Sequence, residues 1–432
     1  MIAWHTGVMR WIGLIFGLLG GCADKHTECE PWTDSPSSGR IINLPSPEGT
    51  GVQVQIFLST EPPRGEYPAT VVFVQGGWHT DPDPLTQGEP SLRTDLGHTV
   101  VYAWLPKHDR RGADSRRALG TAIQYAGGLI ADADTCTLED RLGGLGPVVL
   151  AGFSNGGNLA WATAGDPSLD LPHISGIATF ETPPSSQFIT MDPGTQERRN
   201  KRFDEALCAV PEGAIDCAID YTPIIATTGG SCSDDAECLA IDNNGNGSIN
   251  GDEFVLGALN DTESGLRVSS LQATEAAERA GVLPESFMTS AEASDFWSQR
   301  VGARLLQRAA DRHKDLAAIV TGTERDHMQT ALTQHVHTVA QAEAIAQGGI
   351  GFIRLHPDSA YLEALHGDLL QWQDLPAATT FDLRDMSIGA EPEENQHIRA
   401  TEYLDAAVLE IIDRSRTQDW SENLSEPLSV IP

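Results

Sequence analysis

Ser154 lies in a short pattern of residue types that suits nucleophilic catalysis. The apolar run Val148–Phe153 leads into Gly152-Phe153-Ser154-Asn155-Gly156, and residues 158–162 favour a helix. A strand, a sharp turn and a helix in that order expose a serine hydroxyl at the end of a sheet. The two glycines suit such a turn, because it forces an unusual backbone conformation and leaves no room for side chains. The pattern therefore predicts a serine nucleophile.

A second glycine-rich stretch follows an earlier apolar run. Gln75-Gly76-Gly77-Trp78 comes directly after residues 67–74, which are expected to form a buried strand. Acyl transfer needs backbone N–H donors close to the developing oxyanion, and glycine permits that close approach. We therefore interpret this stretch as a candidate oxyanion loop.

The elements that must position these residues alternate in type along the chain. Such alternation favours an α/β fold, in which a mostly parallel central sheet has helices on both faces. Between residues 181 and 314 the sequence contains no comparable strand, and we expect a mainly helical lid insertion there. Strands are predicted near residues 41–44, 52–58, 67–74, 98–105, 174–180, 316–321 and 350–355, with a last amphipathic helix near 400–414.

The glycine-flanked serine, the earlier glycine pair and this order of elements resemble the α/β-hydrolase family. The resemblance covers residues 41–180 and 315–416, the two parts of the predicted core. It implies that the N–H of Asn155 and that of Gly77 or Trp78 bind the oxyanion. The sequence departs from the His-Gly-Gly-Gly form of lipases, since Gln75 stands first and Trp78 last.

The family's chain order requires an acid and then a histidine after the serine. Asp326 follows the predicted strand 316–321 in a loop, where the family keeps its carboxylate, and it is our choice for the acid. Glu324 is an alternative in the same loop. Glu181 is the alternative if the acid follows the preceding strand.

The base must take the proton of the serine and be oriented by the acid, so it should come from a loop beyond the last strand. His397 lies just ahead of the last predicted helix, which is where the family's histidine loop lies. His356, directly after Ile353-Arg354-Leu355, and His366 are the alternatives.

The insertion contains a separate motif, Asp242–Glu253, that matches an EF-hand calcium loop position by position. Glycine stands at its sixth position, and short flanks at 233–241 and 253–259 are expected to form the two helices. Because only two ligands are charged, we expect a dissociation constant of about 10⁻⁴ to 10⁻³ M and a structural role. The predicted ligands are Asp242, Asn244, Asn246, the carbonyl of Ser248, Asn250 and Glu253.

The first residues predict export. Arg10 precedes the apolar run 11–19, which is too short to span a bilayer comfortably. Leu19-Gly20-Gly21-Cys22 resembles a bacterial lipobox, which implies removal of residues 1–21, lipidation of Cys22 and attachment to a bacterial membrane, with the outer membrane or cell surface favoured. Residues 22–40 are expected to form a flexible tether, and residues 417–432 a loose tail.

Six further cysteines suit disulfides in an exported chain. Proximity in the sequence suggests Cys208 with Cys217 and Cys232 with Cys238, which leaves Cys29 with Cys136, but the sequence does not fix this connectivity.

The formal net charge of −33 argues against nucleic acid or an anionic membrane surface as a direct partner. The sequence thus predicts a serine hydrolase acting on a small ester, with no cofactor needed for the chemistry and membrane contact through the lipid anchor. A serine peptidase of the same fold and an inactive calcium-binding adhesion or binding lipoprotein are the alternatives. The substrate and the oligomeric state stay open.

Overall fold

The structure is a computed structural model. It describes residues 29–33, 39–45, 52–76, 92, 96–105, 113–180, 182, 200–203, 208–209, 216–217, 219–228, 237–250, 253–261, 264–299, 302–313, 316–321, 352–356, 379–381 and 396–417.

Sixteen strands lie within these residues. They are β1 (Arg40–Leu44), β2 (Val52–Phe57), β3 (Ala69–Val74), β4 (His98–Trp104), β5 (Val148–Phe153), β6 (Ile174–Phe180), β7 (Cys208–Ala209), β8 (Asp216–Cys217), β9 (Ile224–Thr227), β10 (Cys238–Ile241), β11 (Phe254–Val255), β12 (Leu259–Asn260), β13 (Arg267–Val268), β14 (Ala317–Thr321), β15 (Phe352–His356) and β16 (Thr379–Phe381).

The described helices number seven. They are α1 (Ala113–Ala126), α2 (Leu138–Leu142), α3 (Asn155–Ala164), α4 (Leu271–Ala280), α5 (Ser290–Ser298), α6 (Gly302–Arg312) and α7 (Gln396–Thr417).

Nine strands form the central sheet in the order β1-β2-β4-β3-β5-β6-β14-β15-β16. β2 runs antiparallel to both of its neighbours, and every other pairing in this sheet is parallel. The central strands β3 and β5 are buried along their whole length. Their sequences are accordingly continuous apolar runs, as expected for parallel strands covered on both faces.

Helices cover both faces of this sheet. On one face α1, α3 and α6 contribute to a core that includes Leu119, Trp161 and Leu306. On the other face α7 packs through Leu404, Val408 and Ile411, among other side chains. The strand order and the covered faces confirm the predicted α/β-hydrolase fold. The sequence did not predict β16.

The described part of the insertion contains, beside its helices, short strands that the sequence did not predict. Between β6 and α6 the chain forms a three-stranded antiparallel sheet, two two-stranded ladders and the helices α4 and α5. The last helix of this region, α6, packs on α3 in the core. The strands are too short to bury a face alone, so Ile224, Leu239 and Leu256 pack against Ala273 and Ala277 of α4.

The N-terminal segment is attached to the domain by a disulfide. Cys29 and Cys136 are bonded, with their Cα atoms 5.7 Å apart, which confirms that predicted pair. Arg40 and Arg141 lie over the ring of Trp32 at 5.2 and 5.3 Å. Residues 29–33, inside the range that the sequence predicted as a tether, therefore contact the domain.

The structure describes only some of the cysteines in the other predictions. Cys208 and Cys217 lie opposite each other in the β7–β8 ladder. Cys238 is disulfide-bonded, and its predicted partner Cys232 lies outside the described residues. Cys22 also lies outside them.

Within the part of the chain that the structure describes, no helix has the length and apolar character needed to cross a membrane.

Candidate active site

Ser154 occupies the turn between β5 and α3 in a backbone conformation that residues other than glycine seldom adopt. Its φ is +49° and its ψ is −126°. Such a conformation costs about 1–3 kcal/mol and persists only where the surroundings hold it. The N–H of Ser154 donates to the carbonyl of Phe180 at 2.8 Å, and its own carbonyl accepts from the N–H of Gly157 at 3.0 Å. The turn is therefore fixed from both sides.

Steric contacts explain the glycines around this turn. A Cβ atom at Gly152 would overlap the Cα of Gly157, and one at Gly156 would overlap the carbonyl oxygen of Val74. A Cβ at Gly157 would overlap the hydroxyl of Thr182. The close approach of α3 to β3 and β5 thus requires glycine at 152 and 156, and the contact with Thr182 favours glycine at 157.

The candidate oxyanion loop begins beside the nucleophile. Val74 pairs with Gly152, and a Cβ atom built at Gly76 would lie 3.0 Å from the Cβ of Ser154. Asn155 is the first residue of α3, so its N–H lies at the positive end of the helix dipole. Gly77 and Trp78, the other predicted donors, lie outside the described residues.

The carboxyl ends of the central strands form a row next to Ser154. Phe153 pairs with Phe180, Phe180 with Thr321, and Thr321 with His356. His356 is therefore the last residue of β15, three strands away from β5. The predicted acid Asp326 follows β14 by five residues, and it lies outside the description, as do its alternatives Glu324 and Glu181 and the histidine His366.

The last helix begins earlier than predicted. Gln396 is its first residue, so His397 lies in the first turn of α7 and not in a loop ahead of it. Only the backbone of His397 is described.

The direction of α7 is fixed by contacts along it. A Cβ atom at Gly176, near the start of β6, would overlap the side chain of Ile411. Farther along the helix, Arg416 donates to the carbonyl of Tyr67, which precedes β3, at 3.1 Å. The helix therefore runs from the carboxyl edge of the sheet towards the amino edge. Its first turn, with His397, lies on the side of Ser154.

The loop Asp242–Glu253 joins β10 to β11, and the prediction of two flanking helices is wrong. Ile241 pairs with Phe254 across the base of the loop, so the motif closes a hairpin. Apolar side chains on both flanks pack into the small core of the insertion, which favours paired strands there. This is a loop with an EF-hand sequence in a different structural setting.

The two predicted charged ligands of that loop, Asp242 and Glu253, turn inward. One oxygen of Asp242 accepts from the N–H of Gly245 at 2.7 Å, and the other accepts from the N–H of Gly247 at 2.7 Å. The Glu253 carboxylate accepts from the N–H groups of Asn244 at 3.1 Å and Asn250 at 3.0 Å.

The ionised form of Asp242 is favoured. Burial by itself raises the pKa of its carboxyl, but the N–H groups of Gly247, Gly245 and Asn246 outweigh burial and hold that pKa below its usual range. The carboxyl of Glu253 also lies within hydrogen-bonding reach of Asp242. Among the described residues no group of three or more histidine, cysteine, aspartate or glutamate side chains forms a metal site. Amide and carbonyl oxygens would have to complete any cation site in this loop.

Comparison with known proteins gives structural likeness alone. No protein-family model matches the chain, and no curated protein matches its sequence. Carboxyl esterase 2 from the fungus Tuber melanosporum is 10% identical, with 76% of this chain and 79% of that chain covered and a TM-score of 0.37. Brefeldin A esterase, a bacterial homologue of human hormone sensitive lipase, is 14% identical over 90% of this chain and 82% of that one, with a TM-score of 0.36.

A third similar structure is prolyl oligopeptidase B from Galerina marginata, which is 9% identical. It covers 87% of this chain and 36% of that one, with a TM-score of 0.38. Because these scores are low, the fold assignment rests on the strand order and on the turn at Ser154.

Sequence reasoning missed one residue beside the nucleophile. Thr182 is buried, and its hydroxyl donates to the carbonyl of Phe180 at 3.4 Å, the same carbonyl that accepts from Ser154. It also contacts Gly157 in the first turn of α3. Its position two residues after the strand that follows the nucleophile was the available signal.

Proposed function

We propose that the protein is a serine hydrolase that cleaves a carboxylic ester through an acyl-enzyme. In this reaction the Oγ of Ser154 attacks the ester carbonyl while His397 takes its proton. Backbone N–H groups, including that of Asn155, stabilise the tetrahedral oxyanion. The leaving alcohol departs with the proton from His397, and water then releases the acid by the reverse proton path.

The observation that carries this proposal is the backbone of Ser154. A serine at φ +49° is held there by two hydrogen bonds and by three glycines that permit close packing. Strain of this kind is maintained where function requires the exposed hydroxyl at the end of the sheet. A serine in an ordinary turn would need none of these contacts.

The length of α7 supports His397 as the base. From Ile411 back to His397 the helix rises about 21 Å, whereas β6 extends about 13 Å from Gly176 to Phe180. Because Ile411 lies against Gly176, the first turn of α7 extends roughly 8 Å past the end of β6 if the two run nearly antiparallel. The turn at Ser154 begins level with the end of β6, because Phe153 pairs with Phe180.

Strand spacing argues against His356 as a direct partner of the nucleophile. Three strand separations place its Cα about 14 Å from that of Phe153. Serine and histidine side chains joined by a hydrogen bond span only about 10 Å between Cα atoms. The end of β14 is two strands from β5, about 10 Å away, which suits an acid such as Asp326 that acts through the histidine.

A fluorophosphonate probe, which labels activated serines, tests the nucleophile. We expect labelling and hydrolysis of p-nitrophenyl acetate by the wild type, and loss of both in Ser154→Ala. Ser298→Ala is the matched control, because that exposed serine only donates to the carbonyl of Asp295. Undiminished labelling of Ser154→Ala would show that another residue is the nucleophile.

A peptidase of the same fold is the second candidate within the enzyme class. Hydrolysis of a peptide p-nitroanilide at a kcat/KM above that of the ester would favour it. A chain that neither binds the probe nor hydrolyses either substrate would favour the inactive binding lipoprotein.

We further propose that the loop Asp242–Glu253 binds calcium and stabilises the insertion. Its ligands would be the side-chain oxygens of Asp242, Asn244, Asn246, Asn250 and Glu253 with the carbonyl of Ser248. The carboxyl groups of Asp242 and Glu253 lie within hydrogen-bonding reach of each other, so two oxygen ligands of the kind that calcium prefers meet at one point of the loop. Calcium would supply structural cross-linking and no chemistry.

Thermal unfolding tests the calcium loop. Millimolar calcium should raise the midpoint of the wild type, because the ion binds only the folded loop. Glu253→Gln should lower the response to calcium, whereas Glu285→Gln, outside the loop, should keep it. An unchanged wild-type midpoint would remove calcium from the proposal.

Export and lipidation of Cys22 complete the proposed function. The lipobox-like sequence and the Cys29–Cys136 disulfide both suit a protein outside the cytoplasm. The mass of the N-terminal peptide from membrane fractions would reveal acylation, and an unmodified Cys22 would refute it.

A further inference from the structure

We propose that the amino edge of the central sheet faces the membrane, with Leu129 and Tyr67 against the lipid surface, so that Ser154 points away from the bilayer. This rests on the proposed lipidation of Cys22. The amino edge is the edge at which β3, β5 and β6 begin.

The disulfide attaches the N-terminal segment to this edge. Cys136 lies in the connection from α1 to β5, which returns the chain to the start of the parallel strands. Within that connection Gly146 donates to the carbonyl of Pro68 at 2.9 Å, directly before β3. A Cβ at Gly127 would overlap Pro172, two residues before β6. The connection therefore follows the amino edge.

The tether between lipid and disulfide is short. Six residues lie between Cys22 and Cys29, and a fully extended chain over these seven steps spans at most about 24 Å. β5 alone is about 20 Å long, before the loops at either end are counted. Only an extended tether laid along the whole sheet would bring the edge with Ser154 to the bilayer.

Two exposed apolar side chains lie at the attached edge. Among the described residues, three large hydrophobic side chains are exposed: Leu129 by 51%, Tyr67 by 39% and Ile41 by 53%. Leu129 lies in the same connection as Cys136, and Tyr67 packs on Gly144 of that connection. Leucine and tyrosine are favourable at a lipid surface, where the ring is covered and the hydroxyl stays wet.

The third exposed side chain serves as an internal control. Ile41 lies on the outer strand β1, level with the middle of the sheet, because it pairs with Gln55 and Gln55 with Tyr102. An upright domain leaves Ile41 in water, whereas a domain lying on its side covers it.

Hydroxyl-radical footprinting of the full-length protein on phosphatidylcholine vesicles tests the orientation. Mass spectrometry would compare oxidation of each side chain in the wild type with that in Cys22→Ser, with the same vesicles present. We expect Leu129 and Tyr67 to be oxidised at least threefold less in the wild type than in Cys22→Ser. Ile41, and Phe254 in the insertion, should be oxidised equally in the two proteins.

Four outcomes would overturn the proposal. The first is equal oxidation of Leu129 and Tyr67 in both proteins, and the second is protection of Ile41 or Phe254 instead. The third is protection without vesicles, which would indicate that a second copy or another protein covers the edge. The fourth is a wild type that carries no lipid. Fluorophosphonate labelling of Ser154 in the same samples reports separately on the nucleophile. Loss of labelling with protection intact would refute the enzyme and leave the orientation standing.

Discussion

His313 should make the folded state less stable as the pH falls. Its imidazole is buried, its Nδ1 accepts from the N–H of Ile174 at 3.3 Å, and its Nε2 lies 3.1 Å from the carbonyl of Ala164. The neutral ring with its proton on Nε2 satisfies both contacts. The pKa of His313 is lowered from its ordinary value of 6.5 to about 4, chiefly because the ring is buried. The hydrogen bond to Ala164 opposes this shift, whereas the nearby charges of Arg312 and His173 add to it.

The sign follows from proton binding. Between pH 6.5 and 4 the unfolded chain binds a proton that the folded chain does not, so stability is fully present above 6.5 and is lost as the pH falls towards 4. The difference between the unfolded and folded pKa values corresponds to about 3 kcal/mol of folding free energy, all of which is lost once the pH is below both values. Solvent screening reduces this to roughly 2 kcal/mol, of which about 1 kcal/mol is lost between pH 7.5 and 5.

Urea unfolding at pH 7.5 and at pH 5 measures the effect. In His313→Gln an amide can make both hydrogen bonds without titrating, so its stability should fall by about 1 kcal/mol less than that of the wild type over this interval. His173→Gln is the control, because that exposed ring lies 6.4 Å from the ring of His313. This variant should keep most of the wild type's change in unfolding free energy between the two pH values. Equal pH dependence of His313→Gln and the wild type would refute the reasoning.

Three further changes have expected outcomes. Replacing Cys29 and Cys136 with serine opens a link across 107 positions and should lower the free energy of unfolding by up to about 4.8 kcal/mol, as measured in urea; a loss under about 1 kcal/mol would contradict this. Thr182→Val should lower kcat about tenfold with KM unchanged, and Thr182→Ser should restore it, because the hydroxyl shares an acceptor with Ser154; equal kcat in both variants would remove the hydroxyl from the turn. Gly156→Ala should abolish fluorophosphonate labelling and cost about 2–3 kcal/mol, read from thermal unfolding, because its Cβ would meet carbonyl oxygens of β3 and its extension; full labelling would contradict that contact.

The insertion shows where residue patterns mislead. Asp242–Glu253 has the spacing of a calcium loop, and the turn forms as that spacing implies, with Asp242 bound to backbone N–H groups. The flanks were predicted as helices because EF-hands have helices there. Their actual state depends on packing against α4, a contact more than ten residues away in sequence that no local pattern contains.

The sequence by itself determined the alternation of strands and helices and the turn at Ser154. These depend on local requirements, since a strained turn needs glycines nearby and a buried parallel strand needs a continuous apolar run. Only the tertiary structure decided that Phe153, Phe180, Thr321 and His356 lie in one row, because strand neighbours are set by crossovers and not by chain order. For the same reason Thr182 reaches α3, the first turn of α7 lies on the side of Ser154, and the disulfide lies at the opposite edge of the sheet.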